Sequence, residues 1–119
     1  MFTCSIRYVV DLDKLTAFES YARSCIRLIR KYGGIHHGYF MPGDSSLAVP
    51  EPAFSFQGLG TKGPDNIAFA LFSFPDVDSY EKYREDVAAD PECIEATTRM
   101  RASKCFTSYE RNFLRPILD

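Results

Sequence analysis

The run Ile67-Ala68-Phe69-Ala70-Leu71-Phe72-Ser73-Phe74 is apolar on both of its alternating sides. A strand in a sheet with one face in water alternates apolar with polar residues, so this run predicts a strand covered on both faces. A chain of 119 residues has helices enough for one face only. The other face needs a partner, and an obligate homodimer is expected before any chemistry is considered.

The rest of the chain supplies the sheet and the helices. Over residues 2–10, Cys4, Ile6, Tyr8 and Val10 lie on one side and Thr3, Ser5, Arg7 and Val9 on the other, the period of a strand with one apolar face. Asp11 or Asp13 is placed to cap a helix. From Leu15 to Ile29, Leu15, Phe18, Ala22, Cys25, Ile26 and Ile29 recur in steps of three and four, which predicts an amphipathic helix ended by Gly33-Gly34. Residues 35–41 read as a second strand, 67–74 as the third and 104–114 as the last. Pro75-Asp76 opens a second helix, from Val77 to Ala89, with Val77, Tyr80, Arg84, Val87 and Ala88 on one stripe. Asp90-Pro91 interrupts it before a further helical piece over 92–101. The order βαββαβ is the ferredoxin-like unit: an α+β fold, one domain over 1–119, with an antiparallel sheet and helices on one face. The 42–66 connection far exceeds a hairpin loop, and long connections in compact domains are usually functional. Phe54, Phe56, Leu47, Val49 and Leu59 make it apolar, so it is expected to act as a cover or arm, with Phe54 or Phe56 packed.

Composition bounds the partners. Net charge is −2 with both signs mixed along the chain, and no basic run points to nucleic acid. No stretch approaches the roughly 18 apolar residues that span a bilayer. The N-terminus has no basic segment leading into an apolar one, so a cytoplasmic location is expected. The cysteines, Cys4, Cys25, Cys93 and Cys105, form no C-x-x-C pair. Free buried thiols are the plain expectation. Cys4 and Cys105 each stand near the start of antiparallel neighbouring strands, at opposite ends, and should not bridge.

Several segments together resemble the NIPSNAP family. They are His36-His37-Gly38-Tyr39-Phe40 with Pro42, Phe72-Ser73-Phe74-Pro75, Tyr80-Glu81-x-Tyr83-Arg84, Asp90-Pro91-Glu92-Cys93 and Tyr109-Glu110-Arg111-x-Phe113-Leu114-Arg115-Pro116. The resemblance implies a ferredoxin-like fold that pairs sheet to sheet across a two-fold axis as a dimeric α/β barrel. At fold level it is similar to antibiotic-biosynthesis monooxygenases and haem-degrading oxygenases. It implies no particular reaction, and the 42–66 connection is longer than the family's short hairpin.

The candidate chemistry rests on few groups. His36 and His37 are adjacent, and adjacent strand residues face opposite ways. They cannot share one metal, and no third histidine or cysteine cluster supports a metal site. One imidazole is either an acid, base or donor at a pocket or a hydrogen-bonded group at the dimer interface. Arg7 and Arg111 fall on strands expected to be neighbours in the order 4-1-3-2. They are either an anion site or structural partners of Glu110. Tyr80 and Arg84, four apart, share a helix face with Tyr83 nearby, lining a pocket or forming core with an outreaching arginine. Gly58-Leu59-Gly60-Thr61-Lys62-Gly63 lacks the strand and helix of a phosphate loop. The readings that remain are a binding protein for a small anionic or aromatic molecule, a cofactor-independent monooxygenase or isomerase, and a non-catalytic interaction module. The first uses Arg7, His36, Tyr39, Tyr80, Arg84 and Arg111 as ligand groups. The second adds His37 or Tyr109 as base. No cofactor is called for; haem is the weaker option, because only the adjacent histidines offer a ligand.

Overall fold

The computed structural model describes residues 1–43 and 56–118. The elements are β1 (Phe2–Val10), α1 (Leu15–Lys31), β2 (Ile35–Phe40), β3 (Ile67–Phe74), α2 (Val77–Ala88), α3 (Pro91–Ser103) and β4 (Phe106–Leu114). Three aspartates start the helical segments. Asp11 accepts from the Asp13 N–H at the 3-10 turn before α1. Asp76 accepts from the Ser79 N–H at α2, and Asp90 from the Glu92 N–H at α3. Each satisfies a backbone donor that the first helical turn leaves unpaired. Pro91, in the first turn of α3, has no N–H to strand. The helical piece beyond Asp90 is therefore a helix in its own right, longer at both ends than its sequence pattern predicts.

The sheet order is β2-β3-β1-β4 with every pairing antiparallel, the ferredoxin-like arrangement. Its inner face carries Cys4, Ile6, Tyr8 and Val10 of β1 against Ala68, Ala70, Phe72 and Phe74 of β3, packed with Phe18 and Ile29 of α1. Phe18 and Phe74 are fully buried. Strand β3 is apolar on its outer side too, where Phe69 is 42% exposed. Ile35, Phe40 and Leu114 extend that outer patch, each about half exposed. The inner side of β3 is thus covered by the helices, while on its outer side Ser73 is buried and Phe69 is partly open among the described residues.

Some expectations change. Of the expected α2 stripe only Tyr80 and Val87 are buried; Val77, Arg84 and Ala88 are exposed, so the inward face of α2 is narrower than its spacing predicts. Phe56, at 71% exposed, and Leu59, at 83%, are largely open among the described residues, so the expected packing of Phe56 is not seen there. Leu47, Val49 and Phe54 lie outside the described residues. The cysteines are free, and Cys4 stands opposite Phe113, far along β4 from Cys105. No helix among the described residues is long and apolar enough to cross a membrane.

Candidate functional site

Between the sheet and the helices lies a cavity of about 160 Å³. Its sheet wall is made by Tyr8 and Ile6 of β1, Tyr39 of β2 and Arg111 of β4. Helix α1 adds Tyr21 and Cys25, one turn apart on the same face. Helix α2 adds Tyr83 and Arg84, and α3 adds Cys93 and Thr97. The wall is aromatic, but its chemistry is that of hydrogen-bond donors. The Tyr8 and Tyr39 hydroxyls are 3.3 Å apart. Burial pushes the pKa values of Tyr8, Tyr21, Tyr39 and Tyr83 well above that of an ordinary phenol, so at neutral pH all four keep their protons. Burial raises the Cys25 thiol as well, against the hydroxyls of Tyr39 and Tyr21, which favour its thiolate.

Arg111 is the charged group of this wall. Its guanidinium donates to the Tyr80 hydroxyl at 2.7 Å and lies over the Tyr109 ring, 5.9 Å from the centroid. Burial works against its charge, and Tyr80 and Cys4 beside it outweigh that, holding the pKa above the ordinary arginine value. One of the five guanidinium donors is committed to Tyr80, which leaves donors for a ligand. Tyr80 does not line the cavity. Buried against Phe2, Phe72, Phe74 and Phe113, it reaches the site through Arg111.

The structure gathers only part of the candidate set. Tyr39, Arg84 and Arg111 converge, with Tyr80 behind Arg111 and Tyr109 beside Tyr8 (ring centroids 6.2 Å). Arg7 does not join them. In the β1–β4 register Arg7 stands opposite Glu110 and Arg111 opposite Ile6, so the two guanidinium groups point to opposite faces of the sheet. A shared anion site of Arg7 and Arg111 is not assembled within one chain.

The histidines divide as adjacent strand residues should. His36 is buried on the inner face, stacked on Tyr39 at 5.1 Å and tilted against Phe72. Its Nδ1 accepts from the Gly38 N–H at 2.9 Å. His37 falls in a register shift of β2, next to Gly38 at φ +123°, and turns outward. There its Nε2 is 2.8 Å from Ser73 Oγ, which is also hydrogen-bonded to Thr3 Oγ1 at 2.7 Å. His37 therefore sits across the sheet from the cavity, on the outer face. Tyr8 and Cys25 were legible only as core, Tyr8 by strand alternation and Cys25 by its helical spacing; Tyr21 was not singled out, although it stands four residues before Cys25.

A four-stranded antiparallel sheet in this order, with helices on one face and a cavity between the layers, defines a ferredoxin-like α+β protein with an internal pocket. The sequence matches the NIPSNAP family over residues 52–118, and the chain belongs to that family. Its fold is similar to that of a NIPSNAP family protein of unknown function from Agrobacterium tumefaciens (TM-score 0.70, 18% identity, 98% of this chain and 87% of that one). It is similar again to an uncharacterized NIPSNAP domain protein from Burkholderia xenovorans (TM-score 0.70, 20% identity, 98% and 95%). A putative antibiotic biosynthesis monooxygenase from Nitrosomonas europaea shares the fold at 10% identity (TM-score 0.65, 99% and 100%). No curated protein matches the chain.

Proposed function

We propose that this NIPSNAP protein binds a small planar anion, one aromatic ring bearing a carboxylate or enolate oxygen, in the cavity between sheet and helices. The observation that carries this reading is Arg111, charged and held by Tyr80 within a wall of protonated phenols. Such a wall offers donors and aromatic faces, which suits a ligand of acceptors on a flat ring. A cavity of about 150 Å³ takes one benzene ring, and this one is of that size. Because the cavity phenols and Cys25 keep their protons, the groups nearest the ligand act as donors at neutral pH and not as bases.

Salicylate is a suitable probe. The chain has no tryptophan, so energy transfer from tyrosine to salicylate reports binding directly. Arg111→Met should weaken the complex by at least about tenfold, the loss of one charge-assisted contact. Failure of the parent protein to bind, or equal binding by the variant, would sink this reading.

The second part of the proposal is a homodimer through the outer face. Phe40, Phe69, Ile35 and Leu114 there form an apolar patch that a second copy would cover. The free thiols fit a reducing compartment such as the cytoplasm.

A further inference from the structure

The cavity shares part of its wall with a wider groove on the surface. That groove, of about 520 Å³, lies between α2 and α3. Arg84, Val87, Cys93 and Thr97 line both spaces. A second groove, between α1 and α3, shares only Tyr21 and Ala96 with the cavity. The ion pairs that fasten α3 run to α1: Arg27 to Glu92 at 2.8 Å and Lys31 to Asp90 at 2.7 Å. The α2 side of α3 is therefore the side on which a passage between helices is freest to admit a molecule.

Charge follows the same line. Arg101 lies in the groove, Arg84 at the shared mouth and Arg111 inside. Among the described residues none of the three is in an ion pair; Arg7, Arg30 and Arg115 are not paired either, but they line neither space. We infer that the groove between α2 and α3 is the entrance to the cavity, and that Arg101, Arg84 and Arg111 form a cationic file that admits anions along it. The inference rests on the ligand-binding reading for what the cavity is for, and adds its route and its selection by charge. A narrow passage lined by one sign of charge raises the local concentration of the opposite ion and speeds its arrival. Arg101 thus acts on the rate of arrival and never touches the bound ligand.

The test needs no bound ligand. Cys25 lines the cavity but not the groove, and Cys4 and Cys105 are buried in the core. In full-length Cys93→Ser protein, Cys25 is the thiol to follow with two methanethiosulfonate reagents, one carrying a sulfonate and one a trimethylammonium group. The Cys25 thiolate attacks the reagent's sulfenyl sulfur, a mixed disulfide forms and methanesulfinate leaves. Rates are read by peptide mass spectrometry and normalised to those of a free thiol.

The anionic reagent should be favoured by about fivefold, and Arg101→Gln should roughly halve that preference. Thr97→Trp, or Ile94→Trp at the groove rim should Thr97→Trp not fold, should slow both reagents by about tenfold. Ser103→Trp, in the other groove, should slow neither. Equal rates for the two charges, a Cys25 that stays unreactive even in alkaline buffer where its thiolate is populated, or slowing by Ser103→Trp in place of the α2–α3 variants would each overturn the inference. Loss of salicylate binding alone would instead refute the ligand reading and leave the route standing.

Discussion

His36 gives the sharpest quantitative handle on this fold. The Gly38 N–H points at its Nδ1, so the neutral ring carries its proton on Nε2. That Nε2 is buried without a partner among the described residues. Charging the ring would put a second proton on Nδ1, directly against the Gly38 N–H. Burial first, then the Arg30 and His37 charges, lower the His36 pKa from 6.5 to about 4. In the unfolded chain the ring keeps its ordinary value. Between the two values the unfolded state binds more protons, so acid favours unfolding. The stability tied to the neutral ring is fully present above the unfolded pKa and is lost as pH falls through 6.5 towards 4. At about 1.4 kcal/mol for each tenfold step in proton affinity, the loss is about 2 kcal/mol between about pH 8 and pH 5, and about 3 kcal/mol in full. Carboxylates titrate mainly below that window, which isolates the imidazole. The assay is urea unfolding followed by circular dichroism at fixed protein concentration, in small steps of pH, for the parent and His36→Phe. The variant should lose most of the slope between about pH 5 and pH 7; at about pH 8 it sheds the unpaired Nε2–H but strands the Gly38 N–H, two effects of opposite sign, so the slope and not the absolute stability is the readout. An unchanged slope in His36→Phe would refute the assignment of the buried neutral ring.

Gly34→Ala should cost about 1–3 kcal/mol, as an overpacked core does. A Cβ there would lie 2.6 Å from Ile29 Cγ2 and 2.7 Å from Phe74 Cζ, and calorimetry of the variant checks this. Asp90→Ala should lower the unfolding midpoint, since Asp90 caps α3 and accepts from Lys31 and the Tyr32 hydroxyl (2.6 Å). Those contacts lower the Asp90 pKa from 3.8 to about 2. The stability it supplies is present above the unfolded pKa and disappears as pH falls towards 2, an acid limb that Asp90→Ala should lack. Phe69→Glu on the outer face should leave circular dichroism intact and yield a monomer in sedimentation equilibrium. A monomeric parent would end the dimer proposal.

The periodicity of each strand and helix was enough to place the elements, because burial on one side writes itself into the spacing of apolar residues. The bounds of β3 are read correctly from its apolar run, and β1 presents the faces that its alternation predicts. The adjacency of His36 and His37 already required opposite faces. Strand parity is a property of one strand, however, and a site between strands depends on register. Arg7 and Arg111 are on neighbouring strands, as the order 4-1-3-2 requires, yet Arg111 pairs with Ile6 and so faces the cavity while Arg7 faces away. A slip of one residue would have reversed that outcome, and in β4 the side of Tyr109 and Phe113 is interrupted by Arg111 itself, so its alternation against Ser108, Glu110 and Asn112 is a weak guide. The same holds for Tyr8 and Cys25, which their spacing assigns to packed core, and for Tyr21, which the spacing of the apolar positions passes over. Only the gap between sheet and helices turned those core positions into a cavity wall, because whether facing side chains fill the space between two layers is settled by the separation of the layers and not by the spacing within either.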